Sequence, residues 1–336
     1  MNKFYITILF LIIFVRVSFA QDAHFTQFYA APIYLSPSFA GSTAGDRIVV
    51  NFRDQWPSIP GAFVTYSISA DHYFPRMNSG MGISIFRDQA GSGHLATTNF
   101  AYQYTYNISL FRKWNIRPGV QFYYTQRSID FSALVFNDQL TQSGQTSSTI
   151  EIPSQNKVGY FDFALSALAY SSTQWYGFTI DHLATPNQSL KNTISKVPIR
   201  FIFFGGYKIM LQGKLGSYAE ESINIAYNYR AQGKFDQIDI GAYWTKYQFV
   251  VGLWYRGIPG FKKYAPGHQN HDMIAVLGGY EFKSLGLKLA YSYDFTLSKL
   301  VGKTAGSHEI SIILLFNQNR KIRRRHRTVI VPCPKF

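Results

Sequence analysis

Cysteine and charge are both scarce in this sequence. The 336 residues include one cysteine, Cys333, which excludes an intramolecular disulfide framework and a cysteine-based metal cluster. Charged residues make up 15% of the chain, a low fraction for a soluble protein. No HExxH or GxSxG motif is present, so we expect no enzyme activity and no cofactor. One enzyme class stays open: a barrel hydrolase with a serine and a histidine on adjoining outward strand positions.

Long apolar runs are also missing after the first twenty residues, which excludes transmembrane helices in that part of the chain. Lys3 precedes an apolar stretch at residues 4–15, and Ser18 and Ala20 are small residues spaced as signal peptidase requires. An N-terminal membrane anchor is the alternative, but the stretch is short for spanning a bilayer. We therefore predict a signal peptide at residues 1–20, cleavage after Ala20, and export of the protein.

Aromatic residues, in contrast, are abundant, with 24 tyrosines and 29 phenylalanines. Apolar and polar residues alternate in several segments with the period of two that a β-strand requires, which a helix would not produce. A soluble β-sandwich would also alternate. The crowding of tyrosine and phenylalanine on one face, and the length of the segments, favour membrane-spanning strands instead. The clearest segments are 64–71, 100–107, 223–230 and 287–295.

Counting such segments predicts an all-β protein, an antiparallel transmembrane β-barrel of about fourteen strands within residues 46–316. The predicted strands are 46–56, 62–73, 80–88, 95–107, 114–127, 157–171, 174–183, 197–211, 221–231, 235–246, 247–256, 272–283, 286–297 and 306–316. With the N-terminus in the periplasm, short turns lie on the periplasmic side and long loops outside, as in outer-membrane barrels. We therefore expect a protein of the outer membrane that contacts its lipid.

Some features fit this pattern poorly. The segments 157–171 and 197–211 alternate weakly, and Pro118 interrupts the fifth predicted strand, where a central strand rarely tolerates proline. Three connections have the opposite length to the expected one: 232–234 is a short outer loop, while 74–79 and 212–220 are longer inner turns. The strand count is therefore open by about two.

Charged residues in the predicted strands fall mostly on the polar face. A charge that faces lipid at mid-depth costs about 2–4 kcal/mol, so we expect these side chains to point into the lumen. There they would either pair with one another and fill the interior or line a pore, and both interpretations stay open. The candidate lumen charges are Arg47, Arg53, Asp71, Arg87, Arg117, Lys288 and Asp294.

The two ends of the mature chain differ in composition. Residues 21–45 contain five aromatic residues and two prolines, which predicts an ordered periplasmic or lumen-plugging segment rather than a flexible terminus. Residues 317–336 form a basic tail that we expect in the periplasm, where nucleic acid is absent. Its candidate partners are anionic lipid, peptidoglycan or an acidic subunit, and the alternative is a solvated, disordered end. The candidate partner contacts are Arg320, Lys321, Arg323, Arg324, Arg325 and Arg327.

Several motifs together resemble the PorP/SprF family. They are FTQFYAAPIYLSPSFAG at 25–41, NFRDQWP at 51–57, FRDQAGSG at 86–93, YSYDFTL at 291–297 and GSHEI at 306–310. The resemblance covers roughly residues 21–316, with little to match at about 128–220. It implies a Bacteroidetes outer-membrane barrel of the type IX secretion and gliding-motility apparatus, whose members support export or surface retention of very large adhesins.

Two functions follow as hypotheses. The first is an interaction protein that supports secretion or surface anchoring of an adhesin by binding its C-terminal domain through loops 128–156, 184–196 and 257–271. Its periplasmic face would then contact type IX secretion components. The second is a general porin-like channel for small solutes, since fourteen strands can surround an aqueous lumen.

Overall fold

A computed structural model describes residues 22–317, except residues 44, 111–113, 142–143, 146–148, 150–154, 192, 214–219, 259–270 and 299–300. The predicted signal peptide, Cys333 and the six basic residues Arg320, Lys321, Arg323, Arg324, Arg325 and Arg327 lie outside the described residues. Within the described part, no helix has both the length and the apolar character to cross a membrane.

Fourteen long strands are present among the described residues, each within a few residues of a predicted strand. They are β1 (Asp46–Gln55), β2 (Phe63–Phe74), β3 (Ser79–Ala90), β4 (Leu95–Tyr106), β5 (Trp114–Ser128), β6 (Lys157–Tyr170), β7 (Gln174–Asp181), β8 (Arg200–Gln212), β9 (Glu221–Gln232), β10 (Phe235–Lys246), β11 (Phe249–Gly257), β12 (His271–Phe282), β13 (Leu287–Thr296) and β14 (Ser307–Phe316). Ile108–Leu110 continues the direction of β4, and Leu140–Thr141 pairs with Gly144–Gln145 in a small separate hairpin.

The strands close into a barrel. Each strand pairs antiparallel with the next one along the chain, and β1 pairs with β14 from Asp46 opposite Phe316 to Gln55 opposite Ser307. Closure satisfies the backbone hydrogen bonds that an open sheet edge would leave unpaired, which a membrane-spanning sheet requires. The predicted fold, a fourteen-stranded antiparallel barrel, is confirmed.

The two ends of the barrel differ in their connections. Connections 56–62, 91–94, 129–156, 182–199, 233–234, 258–270 and 297–306 meet at one end, which we call the long-loop end. The opposite end, the short-turn end, has connections 75–78, 107–113, 171–173, 213–220, 247–248 and 283–286. Two of the connections whose lengths were expected to break the trend do so: 233–234 is short for the long-loop end, and 213–220 is long for the short-turn end.

Side chains alternate between the two faces of the wall. In β2, Tyr66 and Ile68 face outward and are 51% and 47% exposed, while Ser67 and Ser69 face inward and are buried. The same alternation holds at Leu289, Tyr291 and Phe295 of β13, which face outward. The outer surface is therefore an apolar and aromatic band, the surface that a bilayer requires.

Pro118 lies within β5 as the sequence indicated. Pairing with Ala167 of β6 continues through it, whereas pairing with β4 stops after Gly119 opposite Thr105 and resumes at Ile116 opposite Ile108. Proline has no N–H to donate to a neighbouring strand. The strand therefore tolerates Pro118 where the ladder on one side is interrupted.

Candidate functional site

Residues 22–43 of the N-terminal segment lie inside the barrel, and we call this segment the plug. Near its start, Asp22 contacts His182 and Arg200 at the long-loop end. Near its end, the Gly41 N–H donates to Asp71 Oδ2 (2.6 Å), close to the short-turn end of β2. The plug therefore runs the length of the lumen before the chain enters β1.

Two prolines and a serine shape the plug. Pro32 starts a single helical turn, α1 (Pro32–Leu35), and Pro37 starts a 3-10 turn (Pro37–Phe39) that Ser36 caps by accepting a hydrogen bond from the Ser38 N–H. Proline favours these first positions because its φ angle is already helical and the N–H it lacks would have no partner there. Outside the two turns, the plug backbone needs partners from the wall.

Side chains of the wall supply those partners. Arg117 donates to the carbonyl oxygens of Ser38 (3.1 Å) and Ala40 (2.5 Å). The Glu309 carboxylate accepts hydrogen bonds from the backbone N–H groups of Thr26 (2.7 Å) and Gln27 (2.8 Å). The wall therefore forms hydrogen bonds to the peptide backbone of the plug at several points, as a receptor does with an extended peptide.

Two glycines of the wall let the plug approach closely. A Cβ at Gly80 would lie 2.1 Å from the Ala40 carbonyl oxygen, and one at Gly119 would lie 2.6 Å from the Ser38 nitrogen. Any side chain at these positions would push the 3-10 turn of the plug away from β3 and β5.

An ion-pair cluster holds the first half of the plug against β1, β13 and β14. Arg53 lies 2.8 Å from Asp294 Oδ2 and 3.1 Å from Glu309 Oε2, and it also donates to Thr26 Oγ1 (2.6 Å). All three charged side chains are buried. A buried charge is stable only when it is paired and hydrogen-bonded, and this cluster meets that requirement.

Aromatic side chains continue the contact on the same side of the lumen. Phe28 packs edge-on against Trp254, with ring centroids 4.8 Å apart, and Tyr29 packs against Tyr243 at 4.5 Å. We call the wall formed by β9–β14 and β1 the packed side, because the Arg53 cluster and these rings lie directly against the plug and none of these strands lines the cavity described below.

The inward residues of β6 and β8 explain their weak alternation. Leu168, Tyr170, Ile202 and Phe204 all face inward and are buried, and Phe204 packs against Phe39 of the plug at 5.5 Å. Inward positions that face another part of the protein instead of water are apolar, so the polar half of the pattern disappears.

The structure places six of the seven candidate lumen charges on the inner face: Arg47, Arg53, Asp71, Arg117, Lys288 and Asp294. Arg47 pairs with Asp71 at 2.8 Å, and Lys288 lies 3.4 Å from Glu281. Arg87 is different, since it is exposed on the outward face of β3, where it donates to Thr98 Oγ1 (3.2 Å). The outward direction is tolerable there because Arg87 lies close to the long-loop end of its strand, away from mid-depth.

Sequence reasoning missed several inward charges. Arg256 pairs with Asp239 at 2.6 Å, and Lys208 pairs with Glu220 at 2.9 Å. Asp239, Arg256, Lys208 and Glu309 all lie at inward positions of predicted strands, so a stricter application of the two-residue period would have found them. No sequence signal points to the contacts of Asp22, because they depend on how the plug is placed.

The start of the plug lies in a charged cluster at the long-loop end. His182 contacts Asp22 and Asp162 at 2.8 Å each, and Arg200 contacts Asp22 at 2.9 Å and Asp181 at 2.5 Å. Burial acts against protonation of His182, but the carboxylates of Asp181 and Asp22 outweigh it and raise the pKa of His182 to about 10. His182 is therefore a cation at neutral pH. In the described residues, no group of His, Cys, Asp and Glu side chains is arranged to hold a metal ion.

A cavity of about 250 Å³ lies between the plug and the wall formed by β3–β8, which we call the cavity side. Nearer the short-turn end, the same wall contacts the plug directly, as at Arg117 and Gly119. Its lining begins at mid-barrel, at Gln103 and Gln121, and extends to Ala90 and Arg127 at the long-loop end. The wall contributes amide and hydroxyl side chains beside charged ones such as Asp88 and Arg127 and apolar ones such as Phe86 and Leu95. The amide and hydroxyl side chains include Ser84, Thr97, Asn99, Thr125 and Thr179.

Comparison with solved structures finds distant barrels. The toluene transporter TodX of P. putida is 9% identical over 83% of this chain and 91% of that chain, with a TM-score of 0.44. The CymD monoaromatic hydrocarbon channel is 11% identical over 85% and 93%, with a TM-score of 0.43. A Rh. blastica porin mutant is 10% identical over 81% and 99%, with a TM-score of 0.35. Similarity at these low values of sequence identity and TM-score says nothing about function.

Comparison with curated proteins finds no match. A family model described as "Type IX secretion system membrane protein PorP/SprF" matches residues 17–314, which include the plug and almost the entire barrel. The chain belongs to the PorP/SprF family of type IX secretion system membrane proteins.

Proposed function

We propose that this barrel supports secretion or surface anchoring of a large type IX-secreted adhesin by binding the adhesin's C-terminal domain at the long-loop end. Its family is a class of secretion-system membrane proteins and not a class of enzymes. The observation that carries the proposal is the plug, because a lumen occupied from end to end suits a docking protein better than a solute channel. The long-loop end then faces the cell exterior, and the short-turn end faces the periplasm.

The long loops offer contact surface for such a partner. Ile194 in the loop after β7 is 82% exposed, and Val135 and Leu140 in the loop after β5 are 51% and 60% exposed. These side chains lie beyond the strands that face lipid. Exposed apolar side chains at a loop surface support a protein partner, since apolar area removed from water is the main favourable term in association. Loop 257–271 is the third loop of the proposal, and most of it lies outside the described residues.

The short-turn end is the proposed contact with periplasmic secretion components. β14 ends at Phe316 on that end, and the sequence that follows it contains Arg320, Lys321 and Arg323–Arg325, which lie outside the described residues. A basic segment that follows the last strand suits an acidic or anionic partner.

Binding of a purified adhesin C-terminal domain to the purified barrel tests the proposal. We expect the double variant Leu140→Ser/Ile194→Ser to bind roughly tenfold more weakly, because it removes apolar contact area at the proposed surface. Leu285→Ser is the matched control, because Leu285 is 68% exposed in a turn at the opposite end. Failure of the wild-type barrel to bind the domain, or equal weakening by Leu285→Ser, would contradict the proposal.

Planar-bilayer conductance separates this function from the porin-like alternative. The porin hypothesis requires a steady open channel in the wild-type barrel, whereas a plugged docking protein shows no such channel. The approximately 250 Å³ cavity beside the plug lies only on one side of the lumen and begins at mid-barrel.

A further inference from the structure

The cavity side contains buried polar atoms whose hydrogen-bonding capacity is unused. Gln103 Oε1 and Thr179 Oγ1 are both buried, both belong to side chains that line the cavity, and neither has a hydrogen-bond partner among the described residues. Buried polar groups are normally hydrogen-bonded, because losing water without a replacement partner costs free energy. Because these two groups lie in the wall of a cavity, a molecule bound there would be able to supply their missing partners.

The uncharged polar part of the cavity wall has the hydrogen-bonding groups that a peptide backbone requires. A primary amide such as that of Gln103, Gln121 or Asn99 offers a donor and an acceptor side by side, the same pair that each peptide unit of an extended chain presents. The hydroxyls of Thr125 and Thr179 can donate or accept in the same way. Uncharged groups of this kind recognise backbone and leave side-chain identity open.

The plug is the precedent for such recognition within the same lumen. Asn51 donates to the Ala30 carbonyl oxygen (3.5 Å), and the Arg117 and Glu309 contacts also join wall side chains to plug backbone. The plug itself forms one side of the cavity through Ile33, Tyr34 and Leu35. An incoming segment would therefore lie between an existing bound peptide and a wall that has its own hydrogen-bond donors and acceptors.

We infer that the cavity binds a short extended segment of the secreted adhesin, which enters from the long-loop end and lies beside the plug. The inference rests on the proposed function and adds the site at which the cargo is held. A volume of about 250 Å³ admits a few residues of extended chain and excludes a folded element. Main-chain recognition also lets one barrel hold cargo segments of different sequence.

Thr179→Val tests the inference with the least disturbance. It keeps the shape of the side chain and removes a hydroxyl that has no partner among the described residues. We expect the purified adhesin C-terminal domain to bind this variant about five- to tenfold more weakly, as the loss of one buried hydrogen bond predicts. Thr105→Val is the matched control, because Thr105 Oγ1 is also buried without a partner, but Thr105 does not line the cavity.

Photo-crosslinking locates the bound segment directly. A benzoylphenylalanine at position 121 points into the cavity, whereas one at position 122 replaces Phe122, which faces outward and is 60% exposed. We expect the residue at 121 to crosslink to one short stretch of the adhesin domain, identified by mass spectrometry, and the residue at 122 to give no crosslink to it.

The possible results separate this inference from the proposed function. Binding that is unaffected by Thr179→Val, together with no crosslink from position 121, overturns the inference while the docking function stands. Absence of any binding to the wild-type barrel overturns both. Equal loss of binding in Thr179→Val and Thr105→Val also overturns the inference, because the effect would then be independent of the cavity.

Discussion

The packed side and the cavity side of the lumen are built from the same kind of strand but contact the plug differently. On the packed side, Arg53, Asp294 and Glu309 form a buried ion-pair cluster, and Phe28 inserts its ring against Trp254. On the cavity side, a cavity of about 250 Å³ that amides, hydroxyls, charged groups and apolar side chains line lies beside the plug. The difference shows that the plug lies directly against the packed side, whereas a cavity that begins at mid-barrel and reaches the long-loop end separates part of the plug from the other side.

Deleting residues 22–42 should have the largest effect, a change in conductance, because without the plug neither side of the lumen is covered. A fourteen-stranded wall without its plug encloses an aqueous lumen. We expect a steady porin-like conductance in planar bilayers that the wild-type barrel lacks. Identical conductance before and after deletion would mean that the plug is not what blocks the lumen.

Breaking the ion-pair cluster should have the next largest effect, a loss of unfolding free energy. Arg53→Ala leaves Asp294 and Glu309 buried without their cation, and removal of one partner of a buried pair typically costs about 3–5 kcal/mol. Denaturant unfolding in lipid vesicles would measure this loss. Arg87→Ala is the matched control, because Arg87 is exposed on the outer face and its loss should change the free energy of unfolding by about 0.5 kcal/mol or less.

Truncating one aromatic ring of the plug on each side compares the two sides directly. Phe28→Ala should cost about 3–5 kcal/mol of unfolding free energy, because Trp254 and its neighbours cannot close around the space left behind. Tyr34→Ala should cost about 1–2 kcal/mol, because Tyr34 is only half-buried and already borders the cavity. Equal costs for the two variants would contradict the description of one side as packed and the other as open.

Alkaline pH should weaken the attachment of the start of the plug, and we expect this to be the smallest of the four effects predicted here. The folded protein raises the pKa of His182 from 6.5 to about 10, so its stabilising charge is fully present below pH 6.5 and lost as the pH rises through about 10. We expect proteinase K to cleave the plug faster above that pH in barrels embedded in liposomes.

His182→Gln should remove the pH step in plug cleavage, because glutamine does not titrate. His308→Gln should keep it, because His308 lies on the outward parity of β14, where it contacts Tyr291. Cleavage of the wild-type plug that is independent of pH up to and beyond about 10 would contradict the role given to His182.

The strands of the barrel wall could be predicted from the sequence because the alternation that identifies them is a property of neighbouring residues. Neighbouring residues face different solvents, so the alternation of Tyr66, Ser67, Ile68 and Ser69 already contains the direction of each side chain. Strand bounds and closure followed from counting such segments. Arg87 shows the limit, since it lies on the outward parity with Ile83 and Ile85 and was nevertheless assigned to the lumen because of its charge.

The interior could not be predicted in the same way. Trp254, Tyr243 and Phe204 face inward because they pack against the plug, and nothing in the strands themselves identifies that partner. The motif at 25–41 indicated an ordered segment, but its course through the lumen depends on contacts with residues hundreds of positions away. The cavity is the space those contacts leave, so it has no sequence signature of its own.

The contact between the plug and β14 has a consequence for the order of assembly. The N–H groups of Thr26 and Gln27 donate to Glu309, across separations of 283 and 282 residues. Contacts this distant in sequence form late, because the loop they close must first be ordered. The plug precedes every strand of the barrel in the chain, yet it cannot complete its contacts until β14, the last of them, has been made.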